Sequence, residues 1–339
     1  MMRSTPKAFA IILVLLAGAC GTRPPALEPQ AELVWPPSPA EARIRYVRSI
    51  SGPEDLGIVK PFLRRMAELL FGKAEEYLIR PTGVAERDGV LYVADPGAQA
   101  LWIFDLRARS FIKVGRFGGT ALVSPVAVAA KDGNEVFVAD SWHAKVFLLN
   151  REGALVRTVA EAGLRRPAAL VYDDSARRLY VADSAAHRVL VYDQDNASPQ
   201  IWGRRGSADG EFNYPTHLAL DRAGTLLVTD ALNFRVQAFD RAGKFLWKLG
   251  RHGDGSGDFA SPKGVAAGAD DRIYVVDALF DAVQIFARAG TYLIAFGQRG
   301  TARGQFWLPG GIFVTPEERI YVADTYNQRV QVFEYIGGS

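Results

Sequence analysis

The stretch Leu308 to Phe333 reads LPGGIFVTPEERIYVADTYNQRVQVF, and it decides the fold. A Pro309-Gly310 turn leads into an apolar run from Gly311 to Val314. Pro316 to Arg319 is a polar turn. A second apolar run, Ile320 to Ala323, ends on Asp324. Thr325 to Gln328 is a polar loop, and Arg329 to Phe333 is a third run. This predicts three short strands and two tight turns. Strands so short cannot bury themselves, so the unit needs neighbours.

The chain supplies five. The second run recurs as LYVAD ending at Asp95, VFVAD at Asp140, LYVAD at Asp183, LLVTD at Asp230 and IYVVD at Asp277. Successive Asp residues, Asp324 included, are 45, 43, 47, 47 and 47 apart. Pro81, Pro125, Pro167, Pro215, Pro262 and Pro309 lead the units at nearly the same step. Nine residues after each Asp stands Phe104, Leu149, Tyr192, Phe239, Phe286 or Phe333. A period in the forties with several short strands per unit is the signature of propeller blades. The predicted fold is all-β, a six-bladed β-propeller, with repeats at about 81–118, 125–160, 167–203, 215–250, 262–297 and 309–333.

A fourth strand is visible between units, as in KFLWKLG (Lys244 to Gly250) and TYLIAFG (Thr291 to Gly297). Glycine-spaced turns follow: Gly203, Gly206, Gly210, Phe212 and Pro215 form one set. Gly250, Gly253, Gly257, Phe259 and Pro262 form another, and Gly297, Gly300, Gly304, Phe306 and Pro309 a third. Glycine permits positive φ there, and the Phe can plug between blades. The last unit stops after its third strand. RIRYVRSI (Arg43 to Ile50) has strand composition and is expected to complete that blade, which would remove both free sheet edges. Between this strand and the first blade, Phe62, Met66, Leu69 and Leu70 recur at helical spacing, predicting an inserted amphipathic helix over about 61–72.

The stretch GxxGxxxGxFxxPxG, followed by IYVADTxNxRVQVF, resembles NHL repeats. The resemblance spans residues 81 to 333 and is closest in the last three units. The first three lack the full glycine pattern, and Ala100 and Ala282 replace the expected basic residue after the Asp.

Met1 to Ala19 has the parts of an export signal: basic Arg3 and Lys7, the apolar run Ala8 to Leu16, then small residues. The run is too short to span a bilayer. The stretch LLAGAC ending at Cys20 resembles the lipobox of bacterial lipoproteins, with Ala17 and Gly18 where Leu and Ala or Ser are usual. By that analogy Cys20 is cleaved and acylated, and Gly21 favours the outer membrane, facing the periplasm. The Pro-rich residues 20–42 then read as a tether and 43–339 as the propeller. Cys20 is the single cysteine, so no intrachain disulfide and no Cys-based zinc site can form. The chain has 40 basic and 37 acidic residues, and loss of Arg3 and Lys7 leaves it near neutral. That gives no argument for a nucleic-acid partner.

In a four-stranded blade, the turn entering the first strand and the loop leaving the second share a face. The glycine turns, the inserted helix and the loops after each Asp therefore lie together, and loops on a rigid face are where binding concentrates. Asp95, Asp140, Asp183, Asp230, Asp277 and Asp324 are expected to cap turns through backbone N–H groups rather than act as catalysts. Lys145, Arg188, Arg235 and Arg329, five residues on, are placed to pair with them. The loop tips do not repeat. Trp142, His143, His187, Phe234, Phe280 and Tyr326 are candidates for a binding face, with Arg205, His252, Arg299 and Trp307 on the neighbouring turns. The competing reading packs these aromatics on adjacent loops.

The resemblance implies two uses. NHL domains of tripartite-motif ubiquitin ligases bind RNA or protein, and a bacterial receptor kinase carries one as its sensor. An NHL-like amidating lyase instead uses histidine-bound zinc in the channel, and similar propellers include metal-dependent lactonases. Such a site needs several ligands converging on the channel. The inner strands here begin with Gly83, Ala127, Ala169, His217, Gly264 and Gly311, and only His217 is a ligand type. The expectation is a non-catalytic module without cofactor, binding an envelope protein, peptide or glycan and held to the membrane through its lipid. The alternative is a hydrolase or lyase with zinc or calcium near His217.

Overall fold

A computed structural model describes residues 32–58, 76–132, 135–160, 163–193, 198–288 and 290–337. The export signal, Cys20 and the inserted helix expected at 61–72 lie outside the described residues. Among those described, no helix is long and apolar enough to cross a membrane.

Six antiparallel sheets follow one another along the chain, the first five each running from inner to outer strand in sequence order. Blade 1 comprises Gly83–Arg87, Val90–Asp95, Ala100–Asp105 and Ser110–Val114. Blade 2 runs from Pro125–Lys131 to Leu155–Ala160 and blade 3 from Pro167–Asp173 to Gln200–Trp202. Blades 4 and 5 run from Pro215–Leu220 to Phe245–Leu249 and from Pro262–Ala267 to Tyr292–Phe296. Blade 6 has only Ile312–Val314, Arg319–Asp324 and Arg329–Tyr335 of its own. Ile44–Ile50 completes it, pairing Ile44 with Tyr335, Tyr46 with Phe333 and Ile50 with Val330 across a bulge at Val47. The ring is closed by its N-terminal strand.

Two details differ from the sequence expectation. Val34 and Trp35, assigned there to the Pro-rich tether, pair with Arg45 and Ile44 as a fifth strand. The Trp35 ring lies 5.9 Å from Phe296 and 5.8 Å from Phe333. An indole able to cover two core rings outweighs the extended preference of the prolines beside it. A two-residue hairpin, Arg116–Phe117 with Thr120–Ala121, also sits between blades 1 and 2.

The core is six apolar clusters, one between each neighbouring pair of blades. Strand residues alternate between the two sides of a blade, both of them covered by neighbouring blades, so the second and third strands are mostly apolar and buried. Phe212, Phe259 and Phe306 of the glycine turns are buried within these clusters. Each fits because of a glycine: a Cβ on Gly203, Gly250 or Gly297, all at positive φ, would lie 2.2–2.4 Å from the corresponding ring. Dihedral and space both demand glycine at those three positions.

Candidate functional site: two faces and a central funnel

The loop after each second strand is fixed by its buried Asp. In blade 2, Asp140 accepts from the backbone N–H of Val123, Trp142 and His143 at 2.8, 3.0 and 3.1 Å. Asp95 accepts from Ile79, Arg80 and Ala98, and Asp277 from Ala260, Ser261 and Leu279. Blades 4 and 6 add side-chain donors. Asp324 Oδ2 accepts from Asn327 at 2.9 Å, Arg329 Nε at 2.8 Å and Gln331 at 3.0 Å, while Trp307 N–H donates to Oδ1 at 2.8 Å. Asp230 repeats the set with Asn233, Arg235, Gln237 and Asn213. Sequence reasoning missed the role of the Gln. Gln237, Gln284 and Gln331, each seven residues after its Asp, are buried and bridge both backbone groups of the glycine turn. The signal was the recurring polar residue inside an apolar strand.

A further regularity lies in the backbone. Four residues after every Asp the chain is left-handed, at Gln99, Ala144, His187, Phe234, Asp281 and Gln328, with φ between 50 and 57°. None is glycine, so each loop pays a local strain that the Asp bonds hold in place.

The structure puts all ten binding-face candidates on this face, and several have partners within it. His187 Nδ1 accepts from Tyr214 N–H at 3.1 Å, and Asp281 accepts from Leu308 N–H at the equivalent point one blade pair on. The rings of Phe234 and His252 meet tilted at 4.3 Å and those of Trp307 and Tyr326 at 5.7 Å. His143 Nδ1 lies 3.2 Å from Asp140 Oδ2. Trp142, 75% exposed, stands free of such contacts.

The central channel, where the alternative reading put a metal near His217, opens widely on the opposite face. A funnel of about 890 Å³ runs down the propeller axis and opens among the turns that join first to second strands. All six inner strands line it. Its wall is mostly small and apolar, including Ala85, Ala129, Val171, Ala219, Ala267 and Val314. Its rim is charged, with Glu86, Arg87, Asp174, Arg222, Glu317 and Arg319. Arg87 pairs with Asp174 across the rim. Burial, with Glu317 and Asp88 nearby, holds the Glu86 carboxyl above the usual carboxylate range, against a hydrogen bond from Gly89 N–H at 2.7 Å.

His217 stands at the narrow end. There the inner strands crowd together: Thr82 Oγ1 donates to Val126 O at 3.0 Å, and Gly311 N–H donates to Thr82 O at 2.9 Å. A Cβ on Gly83, Gly264 or Gly311 would meet a neighbouring carbonyl at 2.3–2.7 Å. His217 keeps some surface toward the funnel but is otherwise enclosed by protein. That enclosure lowers its pKa to about 4, partly offset by a hydrogen bond with the Ile312 backbone, so the imidazole is neutral at physiological pH. Among the described residues, no three His, Cys, Asp or Glu side chains come together as a metal site.

The NHL repeat family model matches residues 164–192 and 306–333. No curated protein matches the chain in sequence. Among solved structures, a protein of unknown function from Bacteroides thetaiotaomicron superposes with a TM-score of 0.61 at 16% identity, covering 77% of this chain and 70% of its own. An auxiliary nutrient binding protein from the same organism gives 0.61 at 12% identity, with the same coverages. The virginiamycin B lyase of Staphylococcus aureus gives 0.56 at 12% identity, covering 76% of this chain and 95% of its own. At such identities the likeness is one of fold.

Proposed function

Taking the chain as a six-bladed propeller built of NHL-type repeats, we propose that it is a non-catalytic ligand-binding module of the bacterial cell envelope, exported and anchored by a lipid on Cys20. The axial funnel carries this reading. Its volume falls within the range of small-molecule sites, and its make-up is the usual one: an apolar wall with a few placed polar groups. Neutral His217 at the floor offers a hydrogen bond, while Glu86 and Arg222 offer charges at the mouth. A ligand with an apolar body and hydrogen-bonding ends, such as a peptide terminus or a short glycan, suits these features.

The structural neighbours include both a nutrient binding protein and a lyase, so shape alone does not choose between binding and catalysis. The side chains favour binding. Among the described residues no three His, Cys, Asp or Glu side chains gather as a metal site, and a desolvated neutral imidazole bonded to the Ile312 backbone is poorly placed to cycle a proton.

The test is to denature protein extracted natively from membranes and identify what it releases. A small molecule in stoichiometric amount is expected, and it should be absent from an Ala267→Trp variant whose funnel is filled. Empty wild-type protein that no peptide or glycan stabilises against heat contradicts the reading. For the anchor, Cys20→Ser should release the protein from membranes washed in high salt. Retention after that wash would count against lipidation.

A further inference from the structure

Half of the large hydrophobic side chains exposed among the described residues, seven of fourteen, lie on the face that carries the Asp loops. Six of the others point outward from outer strands. Four of the seven share one position, two residues after the Asp: Trp142, Leu232, Leu279 and Tyr326, at 75, 54, 63 and 41% exposure. Blades 1 and 3 have Gly97 and Ala185 there. The four tips therefore stand around the propeller axis at one level, on turns whose backbone is pinned. Trp142 and Leu279 N–H groups are themselves held by Asp140 and Asp277.

The same face is basic. Arg80, Arg165, Arg166, Arg205, Lys263 and Arg299 are exposed on it, and none makes an ion pair among the described residues. Arg204 and Arg251 on the same turns pair with Glu211 and Asp258; on the funnel face Arg87, Arg178 and Arg272 pair with Asp174, Asp193 and Glu318, while Arg222 and Arg319 make no ion pair among the described residues. Rigid apolar tips interleaved with basic side chains that lack a carboxylate partner match the two layers of an anionic bilayer surface, lipid phosphate and the acyl boundary beneath it.

We propose that this face docks on an anionic membrane surface, with the apolar tips in the interfacial layer and the arginines on lipid phosphates. The funnel would then open away from the bilayer. The chain's path suits this arrangement. Leu33 and Trp35 lie against Gly304, whose turn belongs to the same face. The twelve residues between Cys20 and Leu33 span up to about 40 Å when extended, so a lipid on Cys20 leaves the face free to reach the bilayer. The inference rests on the anchored reading for its location, but the face itself should bind anionic lipid without the acyl chains.

The experiment uses the Cys20→Ser protein and vesicles of phosphatidylcholine containing about one-third phosphatidylglycerol, with pure phosphatidylcholine as control. Salt-sensitive co-sedimentation with the anionic vesicles is expected. Adding Trp142→Ser and Leu279→Ser should weaken it by about tenfold. Adding Arg205→Ser and Arg299→Ser instead should weaken it severalfold and flatten the salt dependence. Both pairs should keep the parent melting temperature, since all four side chains are exposed. Binding that ignores lipid charge, or that survives the Trp142 and Leu279 pair, overturns the proposal. So does failure to bind vesicles combined with face-dependent binding of a purified envelope protein. Funnel binding of ligand, read on the same variants, is untouched by either result, which keeps the two proposals separable.

Discussion

The two faces of this propeller use the same residue type in opposite ways. On one face, Asp324 and its five equivalents are fully buried, and each ties its own loop to a turn about 17 residues earlier in the chain. On the funnel face, Asp221 and Asp240 also cap turns through backbone N–H groups only two to four residues along the chain, and among the described residues Asp221 alone of these two adds an ion pair, to Arg288 of the next blade at 3.4 Å. The first arrangement makes a rigid platform; the second leaves shorter turns, joined by ion pairs between blades, around an open mouth. Repetition thus fixes one face and frees the other to vary, and the funnel lies on the freer side.

That contrast can be broken by removing carboxylates from each face. The largest effect is expected from Asp324→Ala or Asp230→Ala, which leaves Arg329 or Arg235 buried without its counter-charge. Urea unfolding should show losses of about 3–5 kcal/mol. Asp95→Ala, which strands only backbone N–H groups, should cost less, about 1–3 kcal/mol. Asp240→Ala on the funnel face should cost about 1 kcal/mol. Equal costs on the two faces would remove the distinction.

His217 sharpens the comparison through pH. Its folded pKa, about 4, lies below its unfolded value near 6.5, so the unfolded chain takes up a proton first. Its contribution is fully present above pH 6.5 and is lost as pH falls toward 4, by up to about 3 kcal/mol. His217→Asn should flatten the unfolding profile across that window. A profile with the same slope in both proteins would mean that the imidazole is not enclosed. The smallest expected effect is that of Arg222→Ala at the funnel rim, within about 0.5 kcal/mol of wild type.

The fold was legible because its information is repeated. Six copies of an apolar run ending in Asp set the period, and a last unit lacking its fourth strand pointed to Arg43–Ile50. What stayed hidden depends on tertiary context. Val34–Trp35 and the hairpin at Arg116–Ala121 are strands of two residues, too short for any periodicity, and exist because neighbours complete them. The central channel was foreseen, but the size and mouth of the funnel were hidden for a different reason. Its volume comes from the summed small size of inner-strand residues such as Ala129 and Ala267, and its mouth is made of turns that share no motif. The sequence drew attention to aromatic loop tips instead. The structure gives His187 a backbone hydrogen bond and Phe234 a ring contact there, and leaves Trp142, Leu232 and Leu279 exposed.

In the function proposed above, the funnel, and not the Asp-loop face, holds the ligand. Calorimetric titration of the co-purifying molecule into stripped wild-type protein, Ala267→Trp and Trp142→Ser measures this most directly. Loss of binding in Ala267→Trp with unchanged affinity in Trp142→Ser is the predicted result. Full affinity in Ala267→Trp with binding lost in Trp142→Ser would contradict it.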